Sequence, residues 1–345
     1  MKPSRIDLYR EGEYFYERAY GFVPNLRSYL HEDDKARPAI LVIPGGGYEF
    51  VSSREGELVA EKFVTLGYNC FVLTYSVNLL ALTPLKMQPL NDAARAIRTI
   101  RKNAGSWHVD PDKIAVLGFS AGGHLAASLT LHHKDAEERD PAYGGISARP
   151  DAAVLCYPVI TTGEFAHMGT VKALLGFNHE TLEADRCVFG KPMPGCETPA
   201  DEMRYASLET QVTKDTPPVF LWHTLTDASV PVENSMLMAA ALRKCGIPFA
   251  MHLFSHGKHG LSLGDEAWAA CCGKGEYTYE PSRAFTNAAL NGELDLPEDV
   301  KMSLIENDHF GTGIAKRSDV PVPEIQKWPE LADAFLKTYL METLR

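Results

Sequence analysis

Short, nearly unbroken apolar runs recur along the chain and alternate with stretches of helical periodicity. "PAILVIP" (38–44), "YNCFVLTYSV" (68–77), "DKIAVLGF" (112–119), "DAAVLCYPVI" (151–160), "PPVFLWHT" (217–224) and "PFAMHLF" (248–254) each read as a strand. Runs without polar alternation suit strands covered on both faces, as in a parallel sheet. Leu90, Ala93, Ala94, Ile97 and Ile100 repeat at helical spacing before the third of these strands. "PVENSMLMAAALRKCG" opens on a proline and stops at Gly246, an N1 and C′ pair, and "PELADAFLKTYL" (329–340) reads as a closing helix. The alternation predicts an α/β fold, a single domain over 1–345 with a mostly parallel central sheet and helices on both faces. The aromatic-rich stretch from Tyr9 to His31 is expected to add one or two antiparallel edge strands.

Two regions break the rhythm. Thr162 to Asp215 is punctuated by Pro and Gly and contains the helix-like "TVKALLGF"; Gly264 to Pro323 carries Trp268, Tyr277, Tyr279 and Phe285. Connections this long usually carry function or small elements of their own. The first is expected to be a cap-like insert and the second a lid, with packing or a dimer contact as the plainer role for either.

Composition narrows the class. The chain has 345 residues, 45% hydrophobic and 23% charged, which is globular. With 45 acidic against 34 basic residues the net charge is −11, which argues against nucleic acid or an anionic membrane as partner. The seven cysteines are odd in number and form no Cys-x-x-Cys pair, so neither a disulfide framework nor a structural zinc site is expected. Met1 to Tyr20 has no apolar signal-like core, and no apolar run approaches the roughly 18–20 residues of a membrane span. A cytoplasmic protein, with homo-oligomerisation open, is the expectation.

Within this frame "LGFSAGGH" (117–124) stands out, because Ser120 sits between glycines where a strand pattern meets a helix pattern. Gly-x-Ser-x-Gly alone is a weak signal; a strand before and a helix after make it a nucleophile elbow. A serine hydroxyl needs a base, and the base needs an orienting acid, in chain order Ser, Asp or Glu, His. Asp227 in "LTDASVP" and His259 in "SHGKHG" both follow strand patterns, as Ser120 does. In an open parallel sheet that edge binds ligands. His256 is the rival base; His259 is favoured because it lies farther beyond its strand and precedes Gly-Leu-Ser-Leu. Asp215 precedes its strand and falls at the wrong end, His223 reads as a satisfied core histidine, and His124 as a packing or hydrogen-bonding group beneath the nucleophile.

An acyl-transfer intermediate also needs backbone donors aimed at its oxyanion. Ala121, after the nucleophile, supplies one. The second comes from "IPGGGYEF" (43–50), where Gly46 or Gly47 is the candidate and Tyr48 is expected to line the pocket. The loop is not a dinucleotide fingerprint, since Phe50 stands where a third glycine belongs. Beside it, Arg54 and Glu55 are expected to form a structural ion pair rather than to contact substrate.

"PGGGY" (44–48), "SSREGE" (52–57), "GFSAGGHLAASL" (118–129), "PPVFLWHTLTDASVPVENS" (217–235) and "GKHGLSL" (257–263) together resemble the α/β-hydrolase superfamily, in its acetyl esterase or xylan esterase-like, carbohydrate-esterase branch. The resemblance implies Ser120, Asp227 and His259 as triad and the Gly-rich loop as oxyanion donor, with Pro44 where lipases carry a histidine. It implies a short acyl ester as substrate, most plausibly acetyl on a sugar or xylo-oligosaccharide, and no metal or cofactor. Trp268 and Tyr48 are the candidates to stack on the sugar. Feruloyl esterases, peptidases and arylformamidases share this machinery, and a non-catalytic binding protein is the alternative of a different class. The segments around Cys187–Met203 and Gly264–Pro323 depart from the family pattern by their length.

Overall fold

Eight strands form one sheet in the order β1-β2-β4-β3-β5-β6-β7-β8. They are β1 (Ser4–Asp7), β2 (Asn25–Tyr29), β3 (Arg37–Ile43), β4 (Asn69–Thr74), β5 (Val109–Phe119), β6 (Ala152–Cys156), β7 (Val219–Thr224) and β8 (Phe249–Phe254). The computed structural model describes residues 3–176, 191–270, 274–306 and 319–341. Pairing is parallel from β4 through β8, while β1 and β2 run antiparallel at one edge. The first edge strand begins before the predicted aromatic stretch; the second lies inside it.

Successive residues of each central strand face opposite sides of the sheet, and both sides are covered. Leu41, Ile43, Val116 and Leu155 pack under α2 (Gln88–Lys102), α3 (Ser120–His132) and α6 (Glu233–Cys245). Ile40, Val42, Leu117, Val154 and Trp222 pack under α1 (Glu57–Thr65) and α10 (Trp328–Leu336). This two-sided burial is why the strands carry no polar alternation. Helix α6 starts at Glu233, so Pro231 precedes its cap rather than occupying its first turn, and Gly246 ends it at φ 72°.

Chain order reverses between β3 and β5: from β3 the chain passes to β4 on one side and then to β5 on the other. The loops after β3 and β5 diverge there, and in open α/β sheets the carboxyl edge at such a switch is where ligands bind. The two off-rhythm regions carry the short helices α4 (Met168–Leu175), α5 (Pro199–Ala206), α7 (Glu266–Ala269), α8 (Glu280–Leu290) and α9 (Glu298–Glu306). The second region packs directly on the Gly-rich loop's continuation: Thr278 Oγ1 donates to Val51 O (2.9 Å), and the Tyr279 and Ser53 hydroxyls are 2.7 Å apart. Cys70, Cys156, Cys196 and Cys245 are free thiols. Cys187, Cys271 and Cys272, and parts of both off-rhythm regions, lie outside the described residues.

Candidate active site

The carboxyl edge at the β3/β5 switch holds Ser120 at the junction of β5 and α3. Its φ is +52°, a left-handed conformation that costs a non-glycine residue about 1–3 kcal/mol. The tightness of the turn explains its glycines. A Cβ at Gly118 would run into the Gly122 carbonyl, and one at Gly122 into the carbonyls of Ile43 and Pro44. Ala121 lies in the first turn of α3, where backbone N–H groups have no intrahelical acceptor.

Ser120, His259 and Asp227 form one hydrogen-bonded chain. His259 Nε2 is 2.8 Å from Ser120 Oγ, and His259 Nδ1 is 2.6 Å from Asp227 Oδ2. Asp227 Oδ1 accepts from the backbone N–H groups of Ser229 (2.9 Å) and Val230 (3.0 Å). Burial opposes the Asp227 charge, but hydrogen bonds from His223 and His259 outweigh it and hold the carboxyl well below the usual carboxylate range. His223 is fully buried; its Nε2 donates to Val230 O (3.0 Å) and lies 3.5 Å from Asp227 Oδ2, while its Nδ1 meets Ser235 Oγ at 2.8 Å. The core histidine thus also braces the acid. His256, the rival base, points to solvent beside Ser255 and Glu324. Asp215 is exposed ahead of β7.

The Gly-rich loop faces the serine: a Cβ on Gly45 would lie 2.9 Å from Ser120 Cβ. Gly46 and Gly47 take φ values of +125° and +67°, which only glycine adopts without strain. Gly45 N–H donates to Glu55 Oε2 (2.8 Å). Gly46 and Gly47 keep N–H groups with no backbone acceptor among the described residues.

Glu55, buried in a short 3₁₀ turn, is a brace the sequence did not reveal. Its Oε1 accepts from Tyr157 OH (2.6 Å), and Tyr157 OH in turn accepts from Ser262 N–H (3.0 Å). The Tyr157 ring packs edge-on against His259, with centroids 5.0 Å apart. Burial and the adjacent Glu55 push the Tyr157 phenol well above its ordinary value, so it stays a donor. One carboxyl group therefore ties the oxyanion-side loop to the histidine loop. Its only local sign is Tyr157-Pro158 at the end of an apolar run, which reads as more strand; β6 in fact ends at Cys156, with Tyr157 at φ +35°.

Three expectations are corrected. Tyr48 is 1% exposed; its φ of +64° turns the ring into the core, where its OH donates to His124 Nδ1 (2.9 Å). His124 Nε2 donates to Ala206 O (2.9 Å), and burial pushes the ring's pKa down to about 4, so it stays neutral as a tie between α3, the Gly-rich loop and α5. Trp268 is likewise 1% exposed: its Nε1 donates to Gly260 O (3.1 Å) and the Arg54 guanidinium covers its face at 4.2 Å. Neither ring offers a face to a sugar. Arg54 pairs with Asp319 (2.8 Å) rather than with Glu55, and Lys258 pairs with the same carboxylate.

A BD-FAE family model matches residues 27–242. The chain belongs to the BD-FAE family. That span contains the Gly-rich loop, Ser120 and Asp227. Endo-1,4-beta-xylanase B of Butyrivibrio fibrisolvens is 45% identical over 281 residues, 81% of this chain and 41% of that protein. The acetylxylan esterase of Xylanibacter ruminicola is 26% identical over 68% of this chain and 43% of its own. The chain thus spans less than half the length of these curated relatives. An acetyl ester-xyloside bifunctional hydrolase from Caldicellulosiruptor lactoaceticus has a solved structure that is 38% identical, with a TM-score of 0.65, covering 84% of this chain and 96% of that one. The MGS-M1 α/β hydrolase from a Medee basin deep-sea metagenome library is 28% identical, with a TM-score of 0.57, covering 99% of both chains. The fold of this BD-FAE member is the α/β-hydrolase fold.

Proposed function

We propose that this BD-FAE protein is a serine esterase that removes short acyl groups, acetyl foremost, from xylo-oligosaccharides or related sugars. The observation that carries the reading is the unbroken Ser120–His259–Asp227 chain facing the free N–H groups of the Gly-rich loop. His259 Nε2 takes the Ser120 proton as Oγ attacks the ester carbonyl carbon. Asp227 fixes His259 with its proton on Nδ1 and stabilises the imidazolium that forms. The N–H groups of Ala121 and of Gly46 or Gly47 receive the carbonyl oxygen as it gains charge. Collapse of the tetrahedral intermediate breaks the bond to the sugar oxygen, which takes the proton from His259. Water, deprotonated by His259, then attacks the acyl-enzyme; the acid leaves and Ser120 regains its proton.

Three relatives support the sugar-ester choice, since their names refer to xylan or xylosides and two of them to acetyl esters. The test is acetate release from acetylated xylo-oligosaccharides by wild type and Ser120→Ala. Release by wild type, lost in the variant, agrees with the reading. Cleavage of p-nitrophenyl acetate through Ser120 without release from the sugars would keep the chemistry and overturn the substrate. Long-chain lipid hydrolysis in place of both would overturn the short-acyl choice.

A further inference from the structure

His167 caps α4 in the loop that follows β6, and Glu49 sits in the Gly-rich loop that follows β3. Strand β5 lies between β3 and β6 in the sheet. The two side chains nevertheless both approach Gly169: a Cβ there would lie 3.2 Å from His167 Cε1 and 3.7 Å from Glu49 Oε1. Their loops leave the carboxyl edge of the sheet on either side of β5, whose end carries Ser120, and His167 lies close enough to His259 and Asp227 to feel their charge. The His167 loop is pinned there by Val159 N–H donating to Ser120 O (3.0 Å), and by Asn234, which accepts from Ile160 and Thr161 and donates to Phe165 O.

The imidazole has a fixed polarity. Its Nδ1 accepts from Thr170 N–H (3.2 Å) and lies 2.9 Å from Thr170 Oγ1, so in the neutral ring the proton is on Nε2. Burial and the proximity of His259 keep the ring neutral. Among the described residues none takes up this Nε2–H, and none hydrogen-bonds the Glu49 carboxyl group, which has the Lys172 ammonium as a charge neighbour. Both groups are half-buried. Neither His167 Nε2 nor a Glu49 oxygen is among the buried polar atoms without a partner, so both stay open to solvent, where a ligand's hydroxyls can replace the water. A donor and an acceptor that both approach Gly169, on the sheet edge that carries the nucleophile, match the hydroxyls of a polyol and not the methyl of an acetyl group.

Resting on the esterase reading above, we propose that His167 Nε2–H and the Glu49 carboxyl group bind neighbouring hydroxyls of the sugar alcohol while its ester carbonyl lies at Ser120. They are specificity-determining residues: the sugar hydroxyls bond to them, and an ester lacking hydroxyls gains nothing from them.

The test compares kcat/KM on acetylated xylobiose with kcat/KM on p-nitrophenyl acetate, whose alcohol has no such hydroxyls. His167→Asn keeps a cap acceptor for Thr170 N–H and deletes the distal donor. Glu49→Ala, on a different element, is the second variant. The expected result is a fall in the sugar-to-aryl ratio, carried mainly in KM, by about five- to tenfold in His167→Asn, the worth of one neutral hydrogen bond, and by about tenfold or more in Glu49→Ala, whose bond is to a carboxylate. Unacetylated xylobiose should also inhibit the aryl reaction of wild type more strongly than that of either variant. Ratios and inhibition unchanged in both variants would overturn the pair while leaving the esterase reading intact. A wild type that cleaves p-nitrophenyl acetate but no acetylated sugar would overturn the pair together with the substrate reading.

Discussion

Removing the Glu55 carboxyl group should weaken both the fold and the reaction, by amounts the contacts allow to be bounded. Glu55 is 4% exposed, and its two oxygens accept from Gly45 N–H (2.8 Å) and Tyr157 OH (2.6 Å). Glu55→Ala strands two buried donors, at about 1–3 kcal/mol each, so a loss of about 2–6 kcal/mol is expected. Glu55→Gln keeps one acceptor oxygen and turns an NH₂ toward the other donor, so about 1–2 kcal/mol is expected. The assay is urea unfolding followed by tryptophan fluorescence, read as a shift in midpoint at constant slope. A second arm reads turnover of p-nitrophenyl acetate. Gly45 is adjacent to the candidate oxyanion donors, and loss of one such donor lowers kcat by about 10²–10³. The Ala variant should lose at least about tenfold in kcat, more than Gln. An Ala variant within about 0.5 kcal/mol of wild type, with kcat retained, would refute the claim that this carboxyl group braces the loop.

Asp227→Asn should lower kcat by about 10³–10⁴ near neutral pH, because an amide no longer enforces the Nδ1–H tautomer of His259; steady-state kinetics on p-nitrophenyl acetate read this directly. Asp92 predicts a pH effect on stability. It is fully buried under the Tyr9–Tyr16 segment, and burial raises its pKa to about 7 against hydrogen bonds from Ser76 N–H (3.0 Å) and Gln88 (3.0 Å). A raised folded-state pKa gives stability that is full below the unfolded value of about 3.9 and is lost as pH rises through about 7. Urea unfolding of wild type and Asp92→Asn should therefore show the variant gaining about 2–3 kcal/mol relative to wild type between pH 5 and 8; a difference flat with pH would contradict it.

The sequence made legible what local chemistry determines. Ser120, Asp227 and His259 each follow an apolar run closed by a turn, so their shared sheet edge could be read before any coordinate. What stayed hidden depends on backbone direction or on distant partners. Tyr48 and Trp268 were expected to face substrate, since an aromatic beside a loop looks available; a left-handed turn at Tyr48 and the Arg54 cover on Trp268 decide otherwise. Glu55 meets Tyr157 across 102 positions, and Glu49 and His167 approach Gly169 from loops on either side of β5, juxtapositions that no local pattern encodes. Strand β1 leaves no sign in the sequence, because an edge strand with mostly exposed residues shows no apolar run.

The central claim is that Ser120 is the nucleophile, and a covalent label tests it most directly. The protein is treated with a serine-directed fluorophosphonate, its intact mass is measured, and the modified peptide is sequenced. The account predicts one adduct per chain, on Ser120, formed by wild type and absent from Ser120→Ala. No adduct on the folded wild type, or an adduct that persists in Ser120→Ala on another residue, would contradict it.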